Sequence, residues 1–256
     1  MPQQTPRPLA GRTAIVTGSG RNIGRAILLR FAQAGADVVV NGHRDVAALE
    51  RVAAEAEALG VRAQVAAADV SDPAQVAQLV ARARERFGGV DIAVSNVGLR
   101  RHHGFLDISL SDWRETLDTN LSSCFYLARE VLPGMIERGW GRLIHISGID
   151  GFTGHITHRA DNLVCKAGMH GLTRALAKEF GHAGITCNTV VPGSINTQRD
   201  WSQYPNQSRE EWIAEIPVGR LGEPEDIAEA CYYVVGPGGA FVNGQALHLN
   251  GGEFTP

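Results

Sequence analysis

An α/β fold built on a parallel sheet within one domain is predicted by three features of the sequence. Apolar strand-like runs alternate with longer helical patterns along the whole chain, the signature of successive βαβ units. Near the start, Ala14-Ile15-Val16 leads through Thr17-Gly18-Ser19-Gly20-Arg21-Asn22-Ile23-Gly24 into Arg25 to Ala32, which has helical spacing. No repeat, low-complexity block or linker interrupts the 256 residues, so one domain over 9–256 is expected after a loose, flexible tail at 1–8.

The opening octet reads as strand, glycine turn and helix N-terminus. Unpaired backbone N–H groups at such a helix start point at an anion, and small residues let a pyrophosphate approach the backbone. The glycines stand at Gly18, Gly20 and Gly24, which is not the G-x-G-x-x-G spacing of the dinucleotide fingerprint. On its own the octet is equally well an ordinary glycine turn. Further strands are expected at Asp37–Asn41, Val61–Ala68, Asp91–Ser95, Arg142–Ser147, Ile185–Val191 and Ala246–Asn250. The β-branched content of these runs and the turn residues that close them carry that reading. Helices are expected at 45–59, at 73–87 with Pro73 as a first helical residue, over one long stretch 111–137, at 160–181 and at 224–235.

Composition narrows the function classes. Net charge is −3 with 44% hydrophobic residues, so no polyanion-binding signature is present and nucleic acid is not an expected partner. No apolar run approaches the roughly 20 residues of a membrane span. The first eight residues lack the apolar core of a signal peptide, so a cytoplasmic location is expected. Cys124, Cys165, Cys187 and Cys231 show no metal spacing and read as buried thiols in a reducing compartment. No His/Asp/Glu ligand spacing stands out, and no metal site is expected.

Taken together, Thr17-Gly18…Gly24, Asp69-Val70, Asn96-Val97-Gly98, Asn120, Lys166, Pro192-Gly193 before Thr197, Arg220-Leu221-Gly222-Glu223-Pro224 and Asn250-Gly251-Gly252 resemble the short-chain dehydrogenase/reductase family over about residues 9–252. The resemblance implies a single Rossmann-type doubly wound domain, a seven-stranded parallel sheet with helices on both faces. It also implies a nicotinamide dinucleotide across the carboxyl ends of the strands. Gly18, Ser19, Gly20, Arg21, Asn22, Ile23 and Gly24 would surround its phosphates, with Asn22 where a second close-set glycine is usual. Asn tolerates left-handed backbone, so the turn survives there. Asp69 and Val70 would reach the adenine, and Asn96 and Gly98 would flank the adenosine half. Pro192, Gly193 and Thr197 would also bind the cofactor. The second strand ends in Asn41-Gly42-His43-Arg44 with no acid before Asp45. Arg21 with His43 or Arg44 would therefore hold a 2′-phosphate, so NADP is expected, with NAD as the alternative.

The catalytic pattern departs from the family. An Asn, a Ser, a Tyr and a Lys one helical turn after the Tyr are needed there. Asn120 and Lys166 match, with Lys166 also holding the ribose. Asn162 stands where the Tyr belongs, and the Ser position falls on or beside Gly148, with Ser147 one residue short. Asn donates a hydrogen bond but does not titrate, and general acid–base catalysis is worth about 10²–10⁴ in rate. Candidates for the proton are His155 and His158 before the 160–181 helix and Tyr204 in the segment that forms a lid in the family. Arg100, His102, His103 and Trp201 are expected against substrate. With Arg101 and Arg159, Arg100 would suit an anionic small molecule.

Three functions follow. One is an NAD(P)(H)-dependent oxidoreductase interconverting carbonyl and alcohol with an atypical site. The second is a non-redox lyase, isomerase or dehydratase on the same fold using a histidine base. The third is an inactive nucleotide sensor. A homotetramer or homodimer is what the resemblance implies.

Overall fold

The computed structural model describes residues 7–154, 157–198 and 208–256. Within them β1 (Thr13–Val16), β2 (Asp37–Gly42), β3 (Ala63–Ala67), β4 (Ile92–Ser95), β5 (Gly141–Ile146), β6 (Ile185–Pro192) and β7 (Ala246–Leu249) form one sheet. Every pairing is parallel, and the order is β3-β2-β1-β4-β5-β6-β7. The strand order reverses between β1 and β4, so a crevice opens at their carboxyl ends, where ligands bind in such sheets.

Period-two alternation sends successive residues to opposite faces. Ala14, Val16, Val38 and Val40 pack with α1 (Asn22–Gln33), α2 (Val46–Ala58) and α8 (Pro224–Val235). Ile15, Val39 and Ala93 face α3 (Pro73–Phe87), α5 (Ser123–Glu137) and α6 (Ala160–Phe180). Two short helices, α4 (Leu110–Leu117) and α7 (Arg209–Ala214), complete the described set. No helix is long and apolar enough to cross a membrane among the described residues.

The strand and helix bounds expected from the sequence fall within three residues of these elements, with two differences. The stretch expected as one helix over 111–137 is α4 and α5 joined by a π-helical turn at Asp118–Ser122. The short α7 was not expected. At the start, Arg7 is tied down within the segment expected as a loose tail. Its guanidinium donates to the Leu59 carbonyl at 2.7 Å, and nearby Leu9 is buried in the core.

Candidate active site

Beyond β1 the chain turns through Gly18, at φ +63°, and Asn22 enters α1 at φ +50°. Asn22 thus adopts the left-handed backbone expected of it, and its Oδ1 accepts the Gln198 amide at 3.1 Å. The side chain pins the segment after β6 to the glycine turn. A Cβ on Gly24 would stand 2.3 Å from the Gly18 carbonyl oxygen and 2.7 Å from Asn96 Nδ2, so only glycine lets α1 meet the turn this closely. The first turns of α2, α3 and α4 are capped by Asp45, Asp72 and Ser109. Arg21, at the cap position of α1, is extended and gives no side-chain cap. Amides at the α1 start therefore remain for an anion.

Ser19 is fully buried, and its hydroxyl bonds with the backbone of Asn41 instead of facing the crevice. Asn41 accepts the Gly18 amide and donates to the Ala66 and Ala68 carbonyls, stitching β3 to the turn. Ile23 packs behind into the core. The cleft of about 490 Å³ on this side runs from Gly18–Arg21 to Asp69–Ser71, with His43 and Arg44 on its rim. Burial pushes the Asp69 carboxyl upward, but Ser71 and His43 outweigh it and hold the group below the usual carboxylate range. His43 lies 3.4 Å from Asp69, whereas Arg21 and Arg44 are exposed at the rim. Asp45 is spent as the α2 cap, which leaves no acid at the end of β2. Val70 is buried beneath Asp69. Asn96 donates to the Thr17 carbonyl at 2.9 Å and so clamps β4 to β1. A Cβ on Gly98 would meet only Lys166 Nζ, at 3.9 Å. Gly193 has Asn250 Cβ 2.5 Å from where its own would stand, and Thr197 follows it along the crevice edge beside Asn22. An unpaired helix start, a cradle that a Cβ would fill and apolar walls at Val97 and Leu99 fit a dinucleotide.

The π-turn aims Asn120 inward, where it is fully buried. The Leu99 amide donates to Asn120 Oδ1 at 2.6 Å, which fixes the side-chain amide. Asn120 Nδ2 then donates to Leu99 O at 2.8 Å and to Asn162 Oδ1 at 3.1 Å. Asn162 Oδ1 is therefore an acceptor, and its Nδ2 must donate outward, where Asp150 Oδ2 lies at 3.5 Å. Arg159 Nη1 is 3.7 Å from the same Asp150 oxygen. The buried Arg159 guanidinium also donates to His102 Nε2, at 3.1 Å from Nε. An arginine cannot accept, so His102 carries its proton on Nδ1. Burial, and then Arg159, push His102 below its ordinary value.

Lys166 is 5% exposed and donates to the Ile146 carbonyl at 2.8 Å. Burial lowers its pKa from 10.5 to about 8, with Arg100 acting in the same direction. Gly148 lies in the pocket floor with Asp150, Arg159, Pro192, Gly193 and Trp212. Ser147 points the other way. Its hydroxyl is buried and bonds His170 Nε2 at 3.0 Å, so the structure does not support Ser147 as a group facing substrate. Gly148 supplies open space and no hydroxyl, since the nearest atom to a Cβ there would be the Pro192 oxygen at 3.9 Å.

Among the remaining sequence candidates, Arg100 is exposed at the pocket edge. Arg101 turns away to Asp112 and Glu115. His158 is exposed at φ +64°, and its ring bonds Thr157 at 3.0 Å, outside the pocket. His103 lies beside it, its amide donating to the His158 carbonyl. His155, Trp201 and Tyr204 lie outside the described residues. No group of three or more His, Cys, Asp or Glu that could hold a metal occurs among the described residues. Asp150 and Glu253 carry no sequence pattern of their own, though Asp150 follows Gly148 by two residues. Glu253 accepts from the Ser194 amide and hydroxyl, and Trp212 Nε1 donates to that hydroxyl at 2.6 Å. All four cysteines are buried and free, and burial pushes the Cys165 thiol up to about 12.

The family model described as enoyl-(acyl carrier protein) reductase matches residues 18–253. A 3-oxoacyl-[acyl-carrier-protein] reductase of Vibrio cholerae is 35% identical over 96% of this chain and 98% of that protein. An L-rhamnose 1-dehydrogenase (NAD(P)(+)) of Sphingomonas is 36% identical with the same coverage. A (2S)-[(R)-hydroxy(phenyl)methyl]succinyl-CoA dehydrogenase subunit of Thauera aromatica is 36% identical over 96% of this chain and 97% of its own. A solved structure described as a short-chain alcohol dehydrogenase from Sinorhizobium meliloti 1021 superposes with a TM-score of 0.90 at 30% identity. It covers 97% of this chain and 98% of that one.

Proposed function

The chain belongs to the short-chain dehydrogenase/reductase family, and from that premise we propose that it is an NADP(H)-preferring oxidoreductase interconverting a carbonyl and an alcohol in a rebuilt catalytic site. The observation that carries this reading is the crevice with its uncapped α1 start and close glycine contact, with Asn120 and Lys166 buried behind the neighbouring pocket. The α1 amides would hold the pyrophosphate, and Lys166 the nicotinamide ribose. Arg21 and Arg44, free of an acid at the β2 end, would hold a 2′-phosphate. When bound, the nicotinamide accepts or supplies the hydride.

This chain's residues orient the reacting oxygen. Asn162, its amide fixed through Asn120 and its Nδ2 turned toward Asp150, would orient a carbonyl or hydroxyl that enters beside Asp150. The missing serine and phenol are replaced by space and an amide, so the proton has to move through another group. Arg100 and Arg159 at the pocket suit a substrate bearing a carboxylate or phosphate. Cytoplasmic location and assembly as a homodimer or homotetramer belong to the same proposal.

The test pairs two measurements on the purified protein. Fluorescence titration with NADPH and NADH is expected to show tighter binding of NADPH. Turnover is then sought with L-rhamnose, 3-hydroxybutyrate and 3-hydroxybutyryl-CoA, and in reverse with the corresponding lactone and ketones. Substrate conversion without a change in nicotinamide absorbance would favour the non-redox lyase or isomerase reading. Absence of binding by either nucleotide would refute the proposal.

A further inference from the structure

We propose that Asp150 is the catalytic residue that takes up and returns the substrate proton, in the slot left by the replacement of tyrosine with Asn162. This rests on the oxidoreductase reading above and names the group that reading leaves open.

The polar neighbours of Asp150 are already committed. The Leu99 amide fixes Asn120, Asn120 fixes Asn162, and Asn162 is left with Nδ2 directed at Asp150 Oδ2 at 3.5 Å. Lys166 is tied to the Ile146 carbonyl, and Ser147 and His170 bond each other behind the pocket. His102 Nε2 is occupied by Arg159. Glu253 is held by both polar groups of Ser194. Among the described pocket residues, Asp150 is the carboxylate with only long contacts, 3.5 Å to Asn162 and 3.7 Å to Arg159. Its side chain is 15% exposed, so it is shielded yet reachable. The charged groups around it are Arg159, Arg100, Lys166 and Glu253, with neutral His102 behind Arg159.

In the oxidative direction the substrate O–H bond breaks and its proton passes to a carboxylate oxygen of Asp150. With an oxidised nicotinamide bound, that ring would take the C–H electron pair as hydride, and the O–H pair would become the second bond of the C=O. The Asp150 carboxylic acid then returns its proton to water at the pocket mouth. Carbonyl reduction runs the same steps in reverse. Arg159, which donates to His102, keeps a cation 3.7 Å from the carboxylate oxygen.

The test uses Asp150→Asn and Asp150→Ala in the full chain, with whichever of the alcohols above the parent oxidises. A proton-transfer role predicts a kcat loss of about 100-fold or more in Asp150→Asn, with KM and NADPH affinity within about twofold of the parent. Formate is expected to restore Asp150→Ala at least about tenfold and to leave Asp150→Asn unchanged. A structural role would instead weaken NADPH binding and would not respond to formate. An independent readout needs no cofactor. Burial and then Arg100 bring Lys166 down to about 8, with Asp150 the last of the charges opposing them, so nitrogen-15 NMR should show Lys166 titrating near pH 8 in the parent and slightly lower in Asp150→Asn. An unmoved Lys166 midpoint would overturn the placement of Asp150 even if no tested alcohol is turned over. An Asp150→Asn enzyme within about threefold of parent kcat would overturn the catalytic role. So would loss of activity in Tyr204→Phe or His155→Asn with Asp150→Asn unaffected. Failure of the parent to bind either nucleotide refutes the oxidoreductase reading instead.

Discussion

Raising the pH from 7 to 9.5 is expected to weaken NADPH binding about 30-fold, and the reason lies in Lys166. Its ammonium is 5% exposed and has one carbonyl partner, Ile146, at 2.8 Å. Burial, and then Arg100, bring its pKa from 10.5 to about 8 against the opposing pull of Cys124, Cys165 and Asp150. A lowered pKa on a base means that the ammonium is present below pH 8 and lost above it. At pH 7 roughly nine-tenths of the molecules carry the charge, and at pH 9.5 about 3% do, which costs about 2 kcal/mol of ribose binding. The affinity should be flat below pH 7 and fall about tenfold per unit above 8. Tryptophan fluorescence titrations at half-unit steps measure it, with Lys166→Met as control. The variant should bind weakly at every pH with a flat profile. A parent profile flat to pH 9.5 would refute the assignment of Lys166 to the cofactor. The same shift makes the cofactor-free chain less stable below pH 8 than above 10.5. Lys166→Met should accordingly gain up to about 3 kcal/mol of stability at pH 7 while losing affinity.

Three further outcomes follow from the geometry. His145 and His170 are buried, and burial lowers both to about 4 from 6.5. The unfolded chain takes up these two protons first as pH falls from 6.5 toward 4. Urea unfolding at pH 5 against pH 7 should therefore show a loss of about 3–4 kcal/mol, and a loss under about 1 kcal/mol would contradict the neutral histidines. Gly24→Ala places a methyl 2.3 Å from the Gly18 oxygen. It should destabilise the chain by about 2–3 kcal/mol and abolish nucleotide binding, as read by thermal unfolding and titration. Asn120→Ala leaves Leu99 N and O and Asn162 Oδ1 without their partner. It should cost about 2–4 kcal/mol and reduce kcat more than NADPH affinity, because the crevice is untouched while Asn162 loses its orientation.

Much of the fold was legible because parallel strands buried on both faces read as short β-branched runs, and Pro73 marks a helix start in local chemistry alone. Asn22 was legible as a left-handed residue for the same reason. The π-turn at Asp118–Ser122 was not, since one added residue per turn hardly disturbs the apolar periodicity of 111–137. The facing of Ser147 and Gly148 was likewise hidden. Adjacent residues at a strand end point to opposite faces, so an uncertainty of one in register decides whether a hydroxyl meets substrate or His170. Asp150 escaped notice because an acid in a loop carries no pattern. Only the fixed orientation of Asn120 and Asn162 shows what it faces. Arg101, counted from sequence with the cationic mouth, is drawn off by Asp112 and Glu115 on α4, a pairing that depends on tertiary placement.

The central claim is that this chain carries out hydride chemistry without the family's phenol. The most direct measurement follows substrate consumption by chromatography and reduced nicotinamide by absorbance in one reaction of the purified protein with oxidised cofactor and an alcohol it accepts. One equivalent of reduced nicotinamide per equivalent of carbonyl product is the predicted result. Substrate conversion with a flat absorbance trace would contradict it and assign the pocket to non-redox chemistry.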